Sequence, residues 1–174
     1  LRIEEKERLL NESMEQFGDY VKKLIFTYVQ DIHRTEDIVQ EVFIKFYKSL
    51  DCFEGRSSLK TYLYRIAVNE SKNYLKSWHY RKLELTAKVK CFHKRDSLEE
   101  DYIQKEHNQT IAKLVNELPI KYREVIWLYY YVELSVSEIA YVLKCSPNTV
   151  KTRLARGRRK AKISFEESDV INEH

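Results

Sequence analysis

Apolar residues in the first third of the chain recur every three or four positions. Met14, Phe17, Val21, Leu24, Ile25, Tyr28 and Val29 mark one face of a helix over about 13–29, not the alternation of a strand. The segment QDIHRTED interrupts the pattern as a turn, with Thr35 placed to cap the next helix. Ile38, Val39, Val42, Phe43, Phe46, Tyr47 and Leu50 form a second stripe. DCFEGRSS reads as a loop ending in the capping residues Ser57 and Ser58. A further helix is predicted from about Leu59 to Trp78, with Leu59, Leu63, Ile66, Ala67 and Tyr74 on a common side. Helices of this length can share a core, since burying each Leu, Ile or Phe side chain stabilises by about 1.5–3 kcal/mol. They set a first domain over residues 1–82.

Residues 83–104 lose this periodicity and carry many charges, as a linker does. A second domain is expected over 105–163, with its first helix carrying Ile111, Leu114, Val115 and Leu118. Leu118-Pro119 ends that helix, because the residue before proline avoids helical geometry. Pro119 can open the next, Ile120 to about Val132. Ser135 or Ser137 caps a short helix from Val136 to Leu143, and Ser146-Pro147 starts another that ends near Lys162. Residues 164–174 are polar and acidic and read as a frayed tail. With only 3 Gly and 2 Pro in 174 residues, the expected class is all-α: small helical domains joined by a linker.

The stretch SVSEIAYVLKCSPNTVKTRLARGRRKAK carries a helix-turn-helix pattern. Ile139, Leu143, Val150 and Leu154 have the spacing to fill a helix crossing, and Ala140 is small enough to let the helices approach. Lys144 stands where such turns commonly place Gly, at a cost of about 1 kcal/mol for a left-handed conformation. From Lys144 to Lys162 there are eight Lys or Arg and no acid, although the whole chain is only +4. Such clustering is the footprint of duplex DNA binding. Asn148, Thr149, Lys151, Thr152, Arg153 and Arg156 fall on the exposed and N-terminal parts of the recognition helix, the part that reaches base edges in a major groove. Lys151 or Arg153 suits guanine, whereas Ser146, Thr149 and the helix N-terminus suit phosphate. Arg156, Arg158, Arg159 and Lys160 look like backbone contacts.

The first domain holds further candidate surfaces. Tyr62, Arg65, Asn69, Lys72 and Lys76 recur at helical spacing away from the apolar stripe. An aromatic ring that stacks, an amide that reads a base edge and cations that hold phosphate together suit single-stranded DNA. The preceding loop, Phe53 to Ser58, could receive an extruded base against Phe53. Glu36, Asp37, Gln40 and Glu41 make an acidic patch on the second helix. Like charges four apart there cost about 0.2–0.5 kcal/mol, and a basic partner would repay this.

Other chemistry has little support. Cys52, Cys91 and Cys145 are far apart and lack metal-ligand spacing, so they read as reduced thiols of a cytosolic protein. No apolar run approaches the ~20 residues of a membrane span, and no signal-peptide pattern is visible. The five His show no triad or HExxH context, and no GxxxxGK[ST] loop occurs. Neither an enzyme nor a cofactor is expected.

Taken together, DIVQEVFIKFYKSLDCFEGRSSLKTYLYRIAVNESKNYLK resembles the second conserved region of bacterial sigma factors. LPIKYREVIWLYYYVELSVSEIAYVLKCSPNTVKTRLARGRRK resembles their fourth region. A short linker and the absence of other regions match the extracytoplasmic-function group. The resemblance implies that Asp37, Gln40, Glu41 and Phe43 bind the clamp helices of core RNA polymerase. It implies that Phe53, Gly55, Arg56 and Ser57 capture a flipped base of the minus-ten element, a contact continued by Tyr62, Arg65, Asn69 and Lys72. Ser146, Asn148, Thr149, Lys151, Thr152, Arg153 and Arg156 would meet the minus-thirty-five duplex. A further implied partner is an anti-sigma factor, often membrane-anchored, that covers the polymerase-binding faces. The sequence departs from the family at Tyr62 (often Trp), Val68 (often Arg), Asn73 (often Asp) and Lys144 (usually Gly). A helix-turn-helix regulator that never joins the polymerase is the alternative, and it leaves the acidic patch and the Tyr62 stripe unexplained.

Overall fold

The structure, a computed structural model, describes residues 2–86 and 115–172. Most of the expected linker and the first ten residues of the expected second domain lie outside the described residues. Helices α1 (Ile3–Val29), α2 (Ile32–Ser49) and α3 (Leu59–Thr86) form the first module, with a single 3-10 turn at Leu50–Cys52. The second contains a helical turn at 115–117, α4 (Ile120–Ile126) running into a π-helical segment (Trp127–Tyr131), α5 (Val136–Leu143) and α6 (Pro147–Asn172). No strand occurs among the described residues, so the all-α expectation holds.

α1 begins ten residues earlier than its apolar stripe indicates. The extra turns are charged, yet Lys6 is buried, bonded to Asp51 at 2.5 Å and set 4.5 Å over the Tyr47 ring. Its aliphatic stem packs while its ammonium is neutralised, a role that hydrophobic periodicity cannot display. α2 is capped by Asp31, whose Oδ1 accepts from the Arg34 N–H at 2.9 Å. Thr35, the expected cap, is instead fully buried, and its hydroxyl donates to the Asp31 carbonyl. Ser58 does cap α3, accepting from the Thr61 N–H at 3.1 Å.

Val21, Leu24 and Ile25 of α1, Val42 and Phe46 of α2, and Leu63 and Ala67 of α3 form a core with no exposed surface. α3 is buried over a wider arc than its stripe predicts. Thr61, Tyr64, Val68 and Ser71 are at most 1% exposed. The reason is a second neighbour: α5 packs against α3 from the other side, and α4 touches α1. In the second module Val125, Leu128, Ile139 and Val150 are wholly buried. Gly157 lets α6 approach α4, since a Cβ there would stand 2.8 Å from Ile126 Cδ1 and 3.3 Å from Tyr122 Cβ. α6 continues to Asn172, beyond the expected end near Lys162, so the backbone of 164–172 is helical.

Candidate nucleic-acid interface

The helix-turn-helix is set by local chemistry. Ser135 and Glu138 form a reciprocal capping box at the start of α5. Burial alone would raise the Glu138 pKa. Hydrogen bonds from the Ser135 backbone and side chain and from Thr61, with the charge of Lys60, outweigh it and hold the carboxyl below its ordinary value. Lys144 ends α5 in the left-handed region at φ 53°, as the sequence pattern requires. Ser146 Oγ accepts from the Thr149 N–H at 3.1 Å and starts α6.

On α6, Val150, Leu154 and Gly157 face inward. Asn148, Lys151, Thr152, Arg156 and Arg159 are exposed, while Thr149 is half-buried beside Ser146. Arg153 departs from its expected place. Its guanidinium folds back and donates to Glu124 Oε1 at 3.2 Å, so it braces the recognition helix from behind.

The Phe53 loop and the α3 stripe lie side by side. The Phe53 and Tyr62 rings are 5.0 Å apart, with Phe46 6.4 Å beyond Tyr62. Phe53 and Tyr62 line a shallow cleft of about 200 Å³ together with Cys52, Glu54, Arg56, Arg65 and Tyr141. Gly55 adopts φ +68°, which lets the loop turn over this cleft. Arg56 is exposed and pairs with Glu54 at 2.5 Å, and Ser57 is half-buried. A second cleft, about 450 Å³, lies further along α3 and is lined by Asn69, Lys72 and Lys76 on one side and Val142, Leu143 and Lys144 on the other. Arg65 stacks 4.3 Å over the Tyr141 ring of α5.

Asp37, Gln40 and Glu41 share an exposed face of α2. Phe43 does not join them: it is 6% exposed and points into the core, and Ile44, 53% exposed, stands in the outward register. Lys45 bonds Glu70 at 2.5 Å and lies 3.5 Å from Glu41. The Glu70 bond is the main reason the Lys45 pKa rises. Glu36 is drawn off the patch by Lys22, whose hydrogen bond lowers the carboxyl pKa. The patch is therefore a mixed face, with Asp37 and Glu41 projecting beside an apolar side chain.

Glu124 was not singled out by its sequence context. It is 3% exposed and gathers Tyr28 Oη at 2.7 Å, Lys72 Nζ at 2.9 Å and Arg153 Nη1 at 3.2 Å. Burial first, then the neighbouring carboxylate, pushes the Tyr28 phenol well up. A charged residue leading into VIWLYYY is the only sequence hint. Its partners at 28, 72 and 153 are too distant for helical spacing to connect. Among the described residues no cluster of His, Cys, Asp and Glu is placed to hold a metal. Nor is any described helix long and apolar enough to cross a membrane.

In comparison with known proteins, two stretches of the chain match family models. Residues 14–79 match the family Sigma-70 region 2, and residues 108–160 match Sigma-70, region 4. The chain is 34% identical to the ECF RNA polymerase sigma factor SigW of Bacillus subtilis over 151 residues, covering 82% of this chain and 81% of that protein. It is 34% identical to the RNA polymerase sigma-H factor of Pseudomonas aeruginosa, covering 78% and 75% of the respective chains. The ECF RNA polymerase sigma-E factor of Escherichia coli is 37% identical, with 70% and 69% covered. The fold is similar to that of RpoE bound to the anti-sigma factor NepR from Bartonella quintana: TM-score 0.71, 22% identity, 90% of this chain and 97% of that one. It is also similar to CnrH in complex with the cytosolic domain of CnrY: TM-score 0.66, 22% identity, 92% and 90% covered.

Proposed function

The chain belongs to the extracytoplasmic-function sigma factors, which bind core RNA polymerase and direct it to promoters, and on that premise we propose how its surfaces divide the work. Residues 1–82 dock on the polymerase and take up the minus-ten element, and residues 105–163 hold the minus-thirty-five duplex. The single observation that favours this division is the Phe53–Tyr62 cleft, flanked by Arg56 and Arg65 and set apart from the exposed basic face of α6.

An extruded base could stack against the Phe53–Tyr62 aromatic pair because every base offers a π-face, and stacking is worth about 1–3 kcal/mol per base. Arg56, Asn69 and Lys72 would then track the sugar-phosphate chain, with Gly55 and Ser57 shaping the mouth. Promoter opening in this scheme is equilibrium work: capturing an unpaired base favours the melted strand, with no nucleotide hydrolysis. On duplex DNA, Asn148, Lys151, Thr152 and Arg156 would approach base edges, and Ser146 and Thr149 the phosphates. Arg153 would act by holding the helix. Asp37, Gln40 and Glu41, with Ile44, form the polymerase-docking face.

An anti-sigma factor is a further proposed partner, supported by the complexes that the structural neighbours form with NepR and CnrY. Action on the polymerase places the chain in the cytoplasm. Tyr62→Ala in reconstituted holoenzyme tests the strand assignment: duplex binding should survive while open-complex formation falls about tenfold or more. Normal opening by this variant would remove Tyr62 from the strand path.

A further inference from the structure

The Phe53 loop is held at its two ends. Residues 54–56 between them are exposed, and the Arg56–Glu54 pair is internal to the loop. The far end is fixed by Ser58, which caps α3. The near end is the 3-10 turn Leu50–Cys52. The bond that closes this turn, from the Phe53 N–H to the Leu50 carbonyl, is long at 3.4 Å, so the turn is weakly held by its own backbone. Leu50, 2% exposed, pins it to the core. Asp51 is tied from outside the loop: Lys6 of α1 donates to its Oδ2 at 2.5 Å. Lys6 is itself confined, 8% exposed, with its ammonium 4.5 Å over the Tyr47 ring and Leu9 and Leu10 of the next turn packed on the core. A buried ammonium is costly unless paired, so Lys6 and Asp51 hold each other in one arrangement.

We propose that Lys6 is a positioning residue for strand capture: by holding Asp51 it fixes the turn that sets the Phe53 ring 5.0 Å from that of Tyr62. The inference rests on the strand-binding role proposed above for the Phe53 loop. Phe53 follows Asp51 by two positions, so a turn released from Lys6 swings its ring away from Tyr62. A base stacked on the pair then loses one of its two faces of support, because stacking needs both the spacing and the tilt of the rings. Lys6 does not line the cleft and acts only through Asp51. It also lies ahead of residues 14–79, which match Sigma-70 region 2, so the tie joins a turn outside the matched region to a loop within it.

Lys6→Met keeps the packed stem and removes the ammonium, and Lys6→Arg returns a cation to the same place. Each is made in the full chain and reconstituted with core RNA polymerase. The probe is a fluorescein-labelled nontemplate oligonucleotide spanning the minus-ten element of a promoter selected with wild-type holoenzyme, intact or with an abasic site at each minus-ten position in turn. Lys6→Met should weaken binding of the intact strand about tenfold and leave binding of the strand that lacks the captured base unchanged. Lys6→Arg should restore most of the loss. Millisecond hydrogen exchange on the chain alone should be faster at the Phe53 amide and its neighbours in Lys6→Met, and unchanged in α5. Asp51→Asn, at a half-exposed site, should move both readings the same way by a smaller factor, and it carries the test if Lys6→Met folds poorly. The double variant should lose no more than Lys6→Met, since one bond is broken only once. No loss, equal loss on intact and abasic strands, additive losses or unchanged exchange would each overturn the positioning role. A wild-type holoenzyme indifferent to every abasic site counts against the strand-binding role itself, and the exchange at Phe53 then still decides whether Lys6 orders the loop.

Discussion

Lys144 turns the chain at φ 53°, a conformation that costs a side chain about 1 kcal/mol and glycine almost nothing. Lys144→Gly should therefore raise thermal stability by about that amount, and a lower melting temperature would contradict the strain. Gly157 is the opposite case. Alanine gains about 1 kcal/mol of helix propensity, but its Cβ would press on Ile126 and Tyr122, and overpacking costs about 1–3 kcal/mol. Gly157→Ala should lose about 1 kcal/mol in a denaturant titration, and a stabilised variant would show that the α4–α6 contact can relax. Arg153 shows what spacing leaves open. Its position on the helix wheel permits an outward cation, yet a buried carboxylate behind the helix offers a stronger partner than solvent does. Arg153→Ala should destabilise the fold by about 1.5–3 kcal/mol, the range for hydrogen bonds to charged groups. Arg156→Ala should leave the melting curve unchanged and weaken duplex binding.

At the scale of elements, caps and registers decide which faces the helices present. The Ser135–Glu138 box fixes the start of α5 and also ties it to Thr61 of α3. Because the Glu138 pKa is lowered in the folded chain, its contribution is complete above the ordinary carboxylate value of 4.5 and is lost as pH falls through the lower folded value. Urea midpoints should decline with acidification through that window, and Glu138→Gln should flatten the decline. An unchanged slope would mean that other carboxylates carry it. The helices themselves were largely legible in the sequence, since stripes such as Val21, Leu24, Ile25 and Tyr28 are the core they form. What was not legible has a common cause. Lys6 extends α1 by pairing with Asp51, Thr35 is buried by a local bond, and Phe43 is drawn inward while Ile44 stays out. Each depends on a neighbour in space that periodicity does not name.

For the whole molecule, the order of the modules and the basic recognition helix were readable from the chain alone, and with them the family. The mutual packing of the modules was not, because Glu124 and its partners come from four separate elements. That packing brings Lys72 and Arg65 of the first module against Glu124 and Tyr141 of the second. Holoenzyme reconstituted from core RNA polymerase and this chain, challenged with promoters selected from a random duplex library, provides the most direct measurement. Stable association with the core, together with unpaired bases at the minus-ten position of the selected duplexes, is the predicted result. Tight duplex binding by the chain alone, with no association with the core and no opening, would contradict it.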